Sequence, residues 1–306
     1  MRVQGENRFA TAIEASKRGF SGGAGTVVIA TGRNWPDALG GSALAGVVDG
    51  PLLLTDTGSL PAPVLAEIRR LGAKKAYILG GRSAVGSGVE SSLKAALGSA
   101  AVERLGGPDR YVTARLVANK VLSLQGSAFD GVILVATGDN YPDALAASPI
   151  AAAKGRPVIL ANPGSSAVYV PSSARSAVIL GGTAAVPSRV ESTLKSRLGA
   201  SNVIRRGGAD RFETASLVAE YGVSAGLQWD ALAVTTGQNF PDALSGGAMC
   251  GSFGSVMLLC RSSSLPPSTS SRLSANKGGI STVHIVGGTG AVSEGVVSQM
   301  KAAMGE

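Results

Sequence analysis

Short apolar runs alternate with helical patterns along the middle of this chain. The runs VILVAT (132–137), PVILA (157–161) and AVILGG (177–182) are continuous and aliphatic, which is typical of strands covered on both faces of a sheet. The apolar residues over Asp109–Leu124 and Pro187–Leu198 instead follow the helical period and predict two helices.

Three further elements complete this stretch. We predict a short strand at VERL (102–105), a helix that begins at Pro142, and a weaker, serine-rich helical stretch after residue 161. Proline suits the first position of a helix because its missing N–H would be unpaired there anyway. Strands and helices therefore alternate as β-α-β-α-β-α-β-α, an order that predicts a mostly parallel sheet with helices on both faces.

Three sequence motifs recur in one order along the chain. The first is G-x-[DN]-R-[FY]-x-T-A, the second is T-G-x-N-[FWY]-P-D-A-L, and the third is a strand end, [IV]-[LV]-G-G. The first motif begins at Gly5, Gly107 and Gly208, the second at Thr31, Thr137 and Thr236, and the third ends at Gly81, Gly182 and Gly288. Fixed order at a fixed period indicates internal repetition.

Each copy spans about 100 residues and is large enough to bury a core of its own. We predict three repeats, covering residues 1–99, 100–200 and 201–306. The links at Gly98-Ser99 and Gly199-Ala200-Ser201 are short, so we expect the repeats to pack against one another rather than to move independently.

Composition limits the class of protein. Hydrophobic residues make up 44% of the chain and charged residues 16%, which excludes a disordered protein. No apolar run approaches the roughly 18–20 residues that a membrane-spanning helix needs, so we predict no membrane insertion. The opening MRVQGENRFA lacks the apolar core and cleavage site of a signal peptide. Secretion would therefore require that this chain be a piece of a longer protein.

The formal net charge is +8 and is unevenly distributed. Residues 1–101 carry 11 basic and 7 acidic side chains, residues 102–202 carry 10 and 6, and residues 203–306 carry 7 of each. The excess suggests an anionic partner attracted at long range, with a basic protein that has no such partner as the alternative. On this argument the first two repeats are the better candidates for binding an anion.

The last repeat alone contains the two cysteines, Cys250 and Cys260, and the single histidine, His284. This set is too small and too scattered in sequence for a metal site. Buried thiols acting as small apolar side chains are favoured, and a disulfide between them stays open.

All three motifs follow predicted strands, and ligands of open α/β sheets bind beyond the carboxyl ends of the strands. We therefore expect the motifs to meet at one edge of each repeat as a candidate binding site. This site comprises the motif arginines (Arg8, Arg110, Arg211), the motif asparagines (Asn34, Asn140, Asn239), the motif aromatics (Trp35, Tyr141, Phe240), the motif aspartates (Asp37, Asp143, Asp242) and the motif glycines (Gly80, Gly81, Gly181, Gly182, Gly287, Gly288).

Each set also has a structural interpretation. The motif glycines suit turns with positive φ, and this interpretation is favoured. The alternative is that their backbone N–H groups bind an anion at a helix N-terminus. The motif asparagines are typical of helix N-caps. The motif aromatics either stack on a sugar ring or close a helix start as a hydrophobic staple. Ion pairs between motif aspartates and motif arginines are favoured, with recognition of phosphate or carboxylate by the arginines as the alternative.

The sequence offers little support for catalysis. A catalytic pair of carboxylates cannot recur in all three repeats, because the counterpart of Asp109 and Asp210 in the first repeat is Asn7. A single histidine also cannot supply three catalytic triads. The nucleotide motifs G-x-G-x-x-G and G-x-x-x-x-G-K-[ST] are absent. We therefore predict no enzyme, no catalytic residue, no metal, no cofactor and no nucleic-acid partner.

Together, the three motifs resemble the cell-wall-binding repeat type 2 family of Gram-positive surface proteins over essentially the whole chain. The resemblance implies three Rossmann- or Toprim-like α/β repeats packed as a compact pseudo-threefold trimer. It also implies an extracellular region at the cell wall that anchors a surface protein non-covalently to an anionic polysaccharide or teichoic-type polymer. The candidate polymer-facing residues are then the motif residues named above.

Two other functions remain as alternatives. One is a wall-active enzyme such as a peptidoglycan hydrolase, and the other is a structural unit of a surface layer that contacts other surface-layer proteins. The third repeat departs most from the pattern, since it reads IVGG and carries no net positive charge, so we expect it to contribute least to binding an anion.

Overall fold

A computed structural model describes all residues from 1 to 306 and contains three four-stranded sheets. The first repeat comprises β1 (Arg2–Val3), α1 (Arg8–Gly19), β2 (Thr26–Thr31), α2 (Gly41–Val47), β3 (Leu52–Thr55), α3 (Ala62–Arg70), β4 (Lys75–Leu79) and α4 (Ser87–Leu97). The second comprises β5 (Val102–Leu105), α5 (Arg110–Gln125), β6 (Val132–Thr137), α6 (Pro142–Ala146), α7 (Ser148–Lys154), β7 (Val158–Ala161), β8 (Ser176–Leu180) and α8 (Ser188–Leu198). The third comprises β9 (Val203–Arg206), α9 (Arg211–Ser224), β10 (Gln228–Thr236), α10 (Pro241–Ser252), β11 (Ser255–Cys260), α11 (Pro267–Asn276), β12 (His284–Val286) and α12 (Glu294–Met304).

Every strand pairing in the three sheets is parallel, which confirms the predicted fold class. The strand orders are β3-β2-β4-β5, β7-β6-β8-β9 and β11-β10-β12-β1. Of the continuous aliphatic runs, VILVAT and AVIL form the inner strands β6 and β8, and PVILA forms the edge strand β7. All three strands are buried, as their lack of polar alternation predicts.

The fourth strand of each sheet comes from the next repeat along the chain. β5 pairs with β4, β9 pairs with β8, and β1 pairs with β12, so the exchange closes on itself. The predicted boundaries at 99/100 and 200/201 therefore cut through the first two sheets. Periodicity alone finds where a repeat begins, whereas hydrogen bonding decides which sheet its first strand joins.

The interior is shared as well. One cluster of 55 buried residues draws on all three repeats, and the repeats are packed around a pseudo-threefold axis, as predicted. Helices α2, α7 and α10 pack against one another at its centre. Small residues permit this approach: a Cβ atom on Gly46 would lie 2.0 Å from the carbonyl oxygen of Ala152, and one on Gly247 would lie 2.3 Å from Cβ of Ser148.

The predicted elements of the middle repeat are confirmed with one exception. No helix forms between β7 and β8, where a weak helical stretch was expected. The equivalent connections of the other repeats carry α3, which buries Val64 and Ile68, and α11, which buries Leu273. In the middle repeat this connection contains Pro163, Pro171 and several serines, and these residues oppose a helical turn.

The cysteines are free and buried, in agreement with their expected role as small apolar side chains. Burial raises the pKa of both thiols to about 12. His284 is also buried and lies against the ring of Phe253, at a centroid distance of 5.2 Å. No helix combines the length and apolar character that crossing a membrane requires.

Candidate functional site

The three motifs meet in clefts between neighbouring repeats, not within single repeats. The second and third motifs end strands of one sheet, and the first motif of the next repeat follows the fourth strand of that same sheet. Each site is therefore assembled from two repeats. We name them cleft 1/2, cleft 2/3 and cleft 3/1, after the repeats that form them. Cleft 1/2 and cleft 2/3 each enclose a cavity of about 470 Å³.

The first motif is a helix start built from two kinds of contact. Its first glycine donates its N–H to the hydroxyl of the motif threonine, 3.1 Å away in all three repeats. The third position is the N-cap of the following helix: Asn7, Asp109 and Asp210 each accept bonds from backbone N–H groups of the first turn. Asparagine and aspartate cap equally well, so Asn7 does not weaken the first repeat.

Each motif arginine is held by the second motif of its own repeat. One guanidinium nitrogen of Arg8, Arg110 and Arg211 donates to the carbonyl of Gly32, Gly138 and Gly237, respectively. The ring that follows each arginine covers the same glycine, because a Cβ on Gly138 would lie 2.3 Å from the ring of Tyr111. The arginines are thus fixed at the cleft wall, with further N–H donors left over.

The motif aspartates lie directly against the motif glycines, in the helical turn that begins at the proline of the second motif. This turn is a short 3-10 helix (Pro36–Ala38) in the first repeat and the start of α6 and α10 in the others. Gly80, Gly181 and Gly287 have φ between +98° and +116°, as the turn interpretation predicts, whereas the second glycine of each pair does not have positive φ. A Cβ atom on Gly181 would approach Oδ2 of Asp143 to 2.3 Å. These glycines do not open a helix, since α4, α8 and α12 begin several residues later, so the prediction that they stand at a helix N-terminus is wrong.

Burial raises the pKa of the motif aspartates. The pKa reaches about 6 for Asp143 and Asp242, against an ordinary value of 3.8, and that of Asp37 is also raised. The motif arginine of the next repeat acts in the opposite direction and lowers the pKa in each cleft. The arginine across the cleft therefore stabilises the ionised form of each aspartate, but desolvation has the larger effect on the pKa.

The favoured prediction of direct aspartate–arginine ion pairs is wrong. The ion pairs of the chain join other residues, and no motif arginine or motif aspartate takes part in one. The reason is the strand exchange, because it places the two groups on opposite walls of a cleft. The guanidinium groups are thereby left without a carboxylate partner.

The charge of each cleft does not follow the net charge of the repeats. Cleft 1/2 is lined by two basic and two acidic side chains, Arg33, Arg110, Asp37 and Asp109. Cleft 2/3 is lined by one basic and three acidic side chains, Arg211, Asp139, Asp143 and Asp210. The expectation that net charge ranks the repeats for binding an anion is therefore not supported, since the excess positive charge lies elsewhere on the surface.

The motif aromatics pack against one another near the pseudo-threefold axis. The centroid of the Tyr141 ring lies 5.8 Å from that of Trp35 and 6.0 Å from that of Phe240. Arg8 lies over Phe240 and Arg110 over Trp35, at 5.9 and 5.0 Å from the ring centroids. Phe240 is buried, so its ring offers no face to a sugar, whereas Trp35 and Tyr141 remain partly exposed.

The motif asparagines are exposed and are not N-caps. Each Oδ1 atom accepts the N–H of the next residue, at 2.9 Å, and the N-cap position is held by the motif aromatic. Their side-chain NH2 groups donate no hydrogen bond within the chain, and Asn34 and Asn140 line cleft 1/2 and cleft 2/3, respectively. Each of these two clefts therefore has an unused amide donor in its lining.

One set of repeated arginines lies outside the three motifs. Arg2, Arg104 and Arg205 lie on the exchanged strands, six residues before the motif arginines, and each donates to the carbonyl of a motif glycine at 2.8–2.9 Å. Each also forms an ion pair with a helix of the preceding repeat, through Glu294, Glu90 and Glu191, respectively. Their spacing in the sequence could have identified them.

Comparison with known proteins places this geometry in a family. The family model described as cell wall binding domain 2 (CWB2) matches residues 2–90, 104–191 and 205–297. The chain belongs to this family. The three matched ranges correspond to the three repeats, and the chain is a cell-wall-binding region.

Two curated relatives come from Bacillus subtilis (strain 168). The chain is 30% identical over 305 residues to N-acetylmuramoyl-L-alanine amidase LytC, covering 98% of this chain and 58% of the relative. It is 29% identical over 272 residues to a protein named amidase enhancer, covering 88% of this chain and 36% of the relative. The chain thus spans less than two thirds of the length of either protein.

Two solved structures from Clostridium difficile share the fold. Cwp6 matches with a TM-score of 0.84 and 27% identity, over 98% of this chain and 47% of that one. Cwp8 matches with a TM-score of 0.86 and 25% identity, over 99% of this chain and 51% of that one. Membership of the family and these likenesses indicate a location at the cell wall or cell surface.

Proposed function

We propose that this chain is a non-catalytic anchor that holds a surface protein to an anionic glycopolymer of the cell wall, and that the polymer lies in the clefts between repeats. The observation that carries the proposal is the unpaired motif arginine on the wall of each cleft. A guanidinium fixed by one bond to a backbone carbonyl keeps its other donors for a carboxylate or phosphate of the ligand.

The surroundings of each arginine support a polymer rather than a small ion. Each cleft also presents an exposed asparagine amide, and the motif aromatics Trp35 and Tyr141 offer partly exposed rings near the axis. Three similar clefts on one molecule supply three weak contacts, which together bind a repeating polymer much more tightly than any one of them.

The proposal of a non-catalytic role rests on the absence of a repeated catalytic set. The chain contains no group of three or more histidine, cysteine or acidic side chains that could hold a metal ion. The raised pKa of the motif aspartates is explained by desolvation at packed glycines, and no second carboxylate accompanies them in all three clefts. Amidase activity in relatives would then reside outside the matched region.

Sedimentation with purified cell walls tests the proposal. We expect the chain to be retained by intact walls, to be released as salt screens the contacts, and to be lost from walls stripped of secondary polymers. Arg110→Gln and Arg211→Gln, which remove the charge but keep a polar side chain, should each weaken retention about five- to tenfold. Arg69→Ala, which removes an exposed arginine of α3 that has no ion pair, is the matched control.

Equal retention on intact and stripped walls would overturn the anionic polymer as ligand. If Arg110→Gln and Arg211→Gln are retained on intact walls as well as Arg69→Ala is, the clefts are not the polymer-binding site. Release of soluble peptidoglycan fragments by the purified chain would contradict the non-catalytic role, and ordered self-assembly without polymer would favour a surface-layer unit.

A further inference from the structure

The second repeat has a groove that the other repeats lack. It lies between α5, the edge strand β7 and the connection from residue 162 to residue 175, and its cavity volume is about 260 Å³. It is separate from the clefts, because it belongs to one repeat. Its lining includes two tyrosines, Tyr111 and Tyr169, together with Arg115, Asn162 and Ser165 above a floor of β7.

The groove exists because the connection after β7 is not helical. In the first repeat, α3 packs against α1 at this place, and in the third repeat α11 packs against α9. The residues equivalent to Arg115 are accordingly Ile13 and Ser216, both of which are buried, whereas Arg115 is exposed. The loss of one helix thus changes a packed position into an accessible charged one.

The two tyrosine rings are held in place by their hydroxyl groups. The Tyr169 hydroxyl donates to Oδ1 of Asn119 at 2.6 Å, and the Tyr111 hydroxyl donates to Oδ1 of Asp139 at 3.1 Å. Both rings are partly exposed. Rings that are already ordered lose little conformational entropy when a ligand stacks on them, so the two tyrosines form a preorganised aromatic surface.

The polar groups of the groove favour an anion. Apart from the two tyrosines, Arg115 is the one ionisable side chain in the lining, and it forms no ion pair. Its guanidinium lies 5.9 Å from the centroid of the Tyr169 ring. Asn162 uses its Oδ1 atom to accept the N–H of Gly164, which leaves its NH2 group for a ligand.

We propose that this groove binds a single acidic sugar unit, with one pyranose face on a tyrosine ring and its carboxylate on Arg115. The volume is below the roughly 300–1,000 Å³ of pockets for drug-sized ligands and suits one ring. Aromatic walls with a few fixed polar groups select a compact ligand that has both an apolar face and an anionic substituent. The groove then serves as an additional contact for the wall polymer, and this part of the inference rests on the proposed function.

Titration of the whole chain with small probes tests the groove independently of the wall. Glucuronic acid is the probe, glucose lacks the charge, and acetate lacks the ring; ¹H–¹⁵N chemical shifts report the site. We expect glucuronic acid to shift residues of α5 and of 162–169 and to bind at least about tenfold more tightly than glucose or acetate. Equal binding of acetate would reduce the groove to a general anion site and overturn the proposal.

Substitutions locate the contacts. Arg115→Ala and Tyr169→Ala should each weaken binding of glucuronic acid about tenfold, whereas Tyr169→Phe keeps the ring and should retain most of it. Arg69→Ala is the control for loss of one positive charge. If Arg115→Ala and Tyr169→Ala bind the sugar as the unchanged chain does, the groove is not the site.

Retention on cell walls separates this inference from the proposed function. If the unchanged chain is retained and Arg115→Ala is retained equally, the groove is not a polymer contact while the anchor function stands. If the unchanged chain is not retained, the anchor function fails, and the sugar titration still decides whether the groove binds an acidic sugar.

Discussion

At the scale of single residues, most motif positions are explained by close contacts. The motif glycines leave room for the motif aspartates, the glycine of the second motif lies under an aromatic ring, and the [DN] position caps a helix. A position that recurs three times in one chain can therefore be structural. The motif arginines are different, because one bond to a carbonyl leaves most of their donors unused.

Substitution of Gly181 by alanine should measure the glycine–aspartate contact. Gly181→Ala introduces both an unfavourable φ of +98° and a clash with Asp143, and we expect a loss of about 2–4 kcal/mol in the free energy of unfolding. Gly199→Ala is the matched control: its φ is +91°, but the new Cβ has nothing nearer than 3.4 Å. Urea unfolding of both variants provides the comparison, and equal losses would show that the contact has no energetic role.

The raised pKa of Asp143 predicts a dependence of stability on pH. The pKa is about 6 in the folded chain and near 3.8 when exposed, so the folded state resists ionisation and stability falls as the pH rises between these values. Asp143→Asn removes this penalty. Its advantage over the unchanged chain should be small at pH 4, grow to on the order of 1–3 kcal/mol by pH 7, and then stay constant. Urea unfolding of both proteins at pH 4 and pH 7 measures this difference in stability. A difference that does not change with pH would contradict a raised pKa for Asp143.

At the scale of elements, the exchanged strands join each repeat to the one before it. Arg205 on β9 donates to the carbonyls of Gly181 and Val186 and pairs with Glu191 on α8. In the third sheet the acidic partner comes from Glu294, one helical turn earlier than the position equivalent to Glu191, and still reaches Arg2. The ion pair is therefore preserved although its sequence position is not.

Loss of this strand arginine should destabilise the chain more than loss of a surface cation. Arg205→Ala leaves the carbonyls of Gly181 and Val186 without this donor and leaves Glu191 with Lys195 as its one cationic partner, and we expect a loss of about 2–3 kcal/mol. Lys17→Ala, which breaks the exposed pair with Glu14, should cost less than about 1 kcal/mol. Urea unfolding compares the two, and similar values would mean that the strand exchange does not depend on this arginine.

At the scale of the whole molecule, the repeats are not independent domains. They share one core cluster, three central helices and three exchanged strands, and the backbone of Met1 and Val3 bonds to the third repeat. The clefts that we propose as polymer sites exist only in this assembled arrangement. Binding and folding should therefore be coupled, since opening one interface removes a site.

This arrangement predicts a single cooperative unfolding transition. Calorimetry should give one peak with equal calorimetric and van't Hoff enthalpies, because no sheet is complete within a single repeat. The fragment 1–99 should fail to fold, since it lacks β5 and its own first strand belongs to another sheet. Three resolved transitions, or a folded fragment 1–99, would contradict the shared architecture.

Much of this protein is determined locally and could be predicted from the sequence. The aliphatic runs, the helical periods and the three-fold recurrence gave the strands, most of the helices and the parallel class, because they depend on neighbouring residues and on burial. Three features depend on contacts distant in sequence: the exchange of β1, β5 and β9, the separation of motif arginines from motif aspartates, and the groove beside Arg115. Pairing between strands and the loss of one covering helix are decided only when the chain is packed, so the tertiary structure alone showed that each cleft belongs to two repeats.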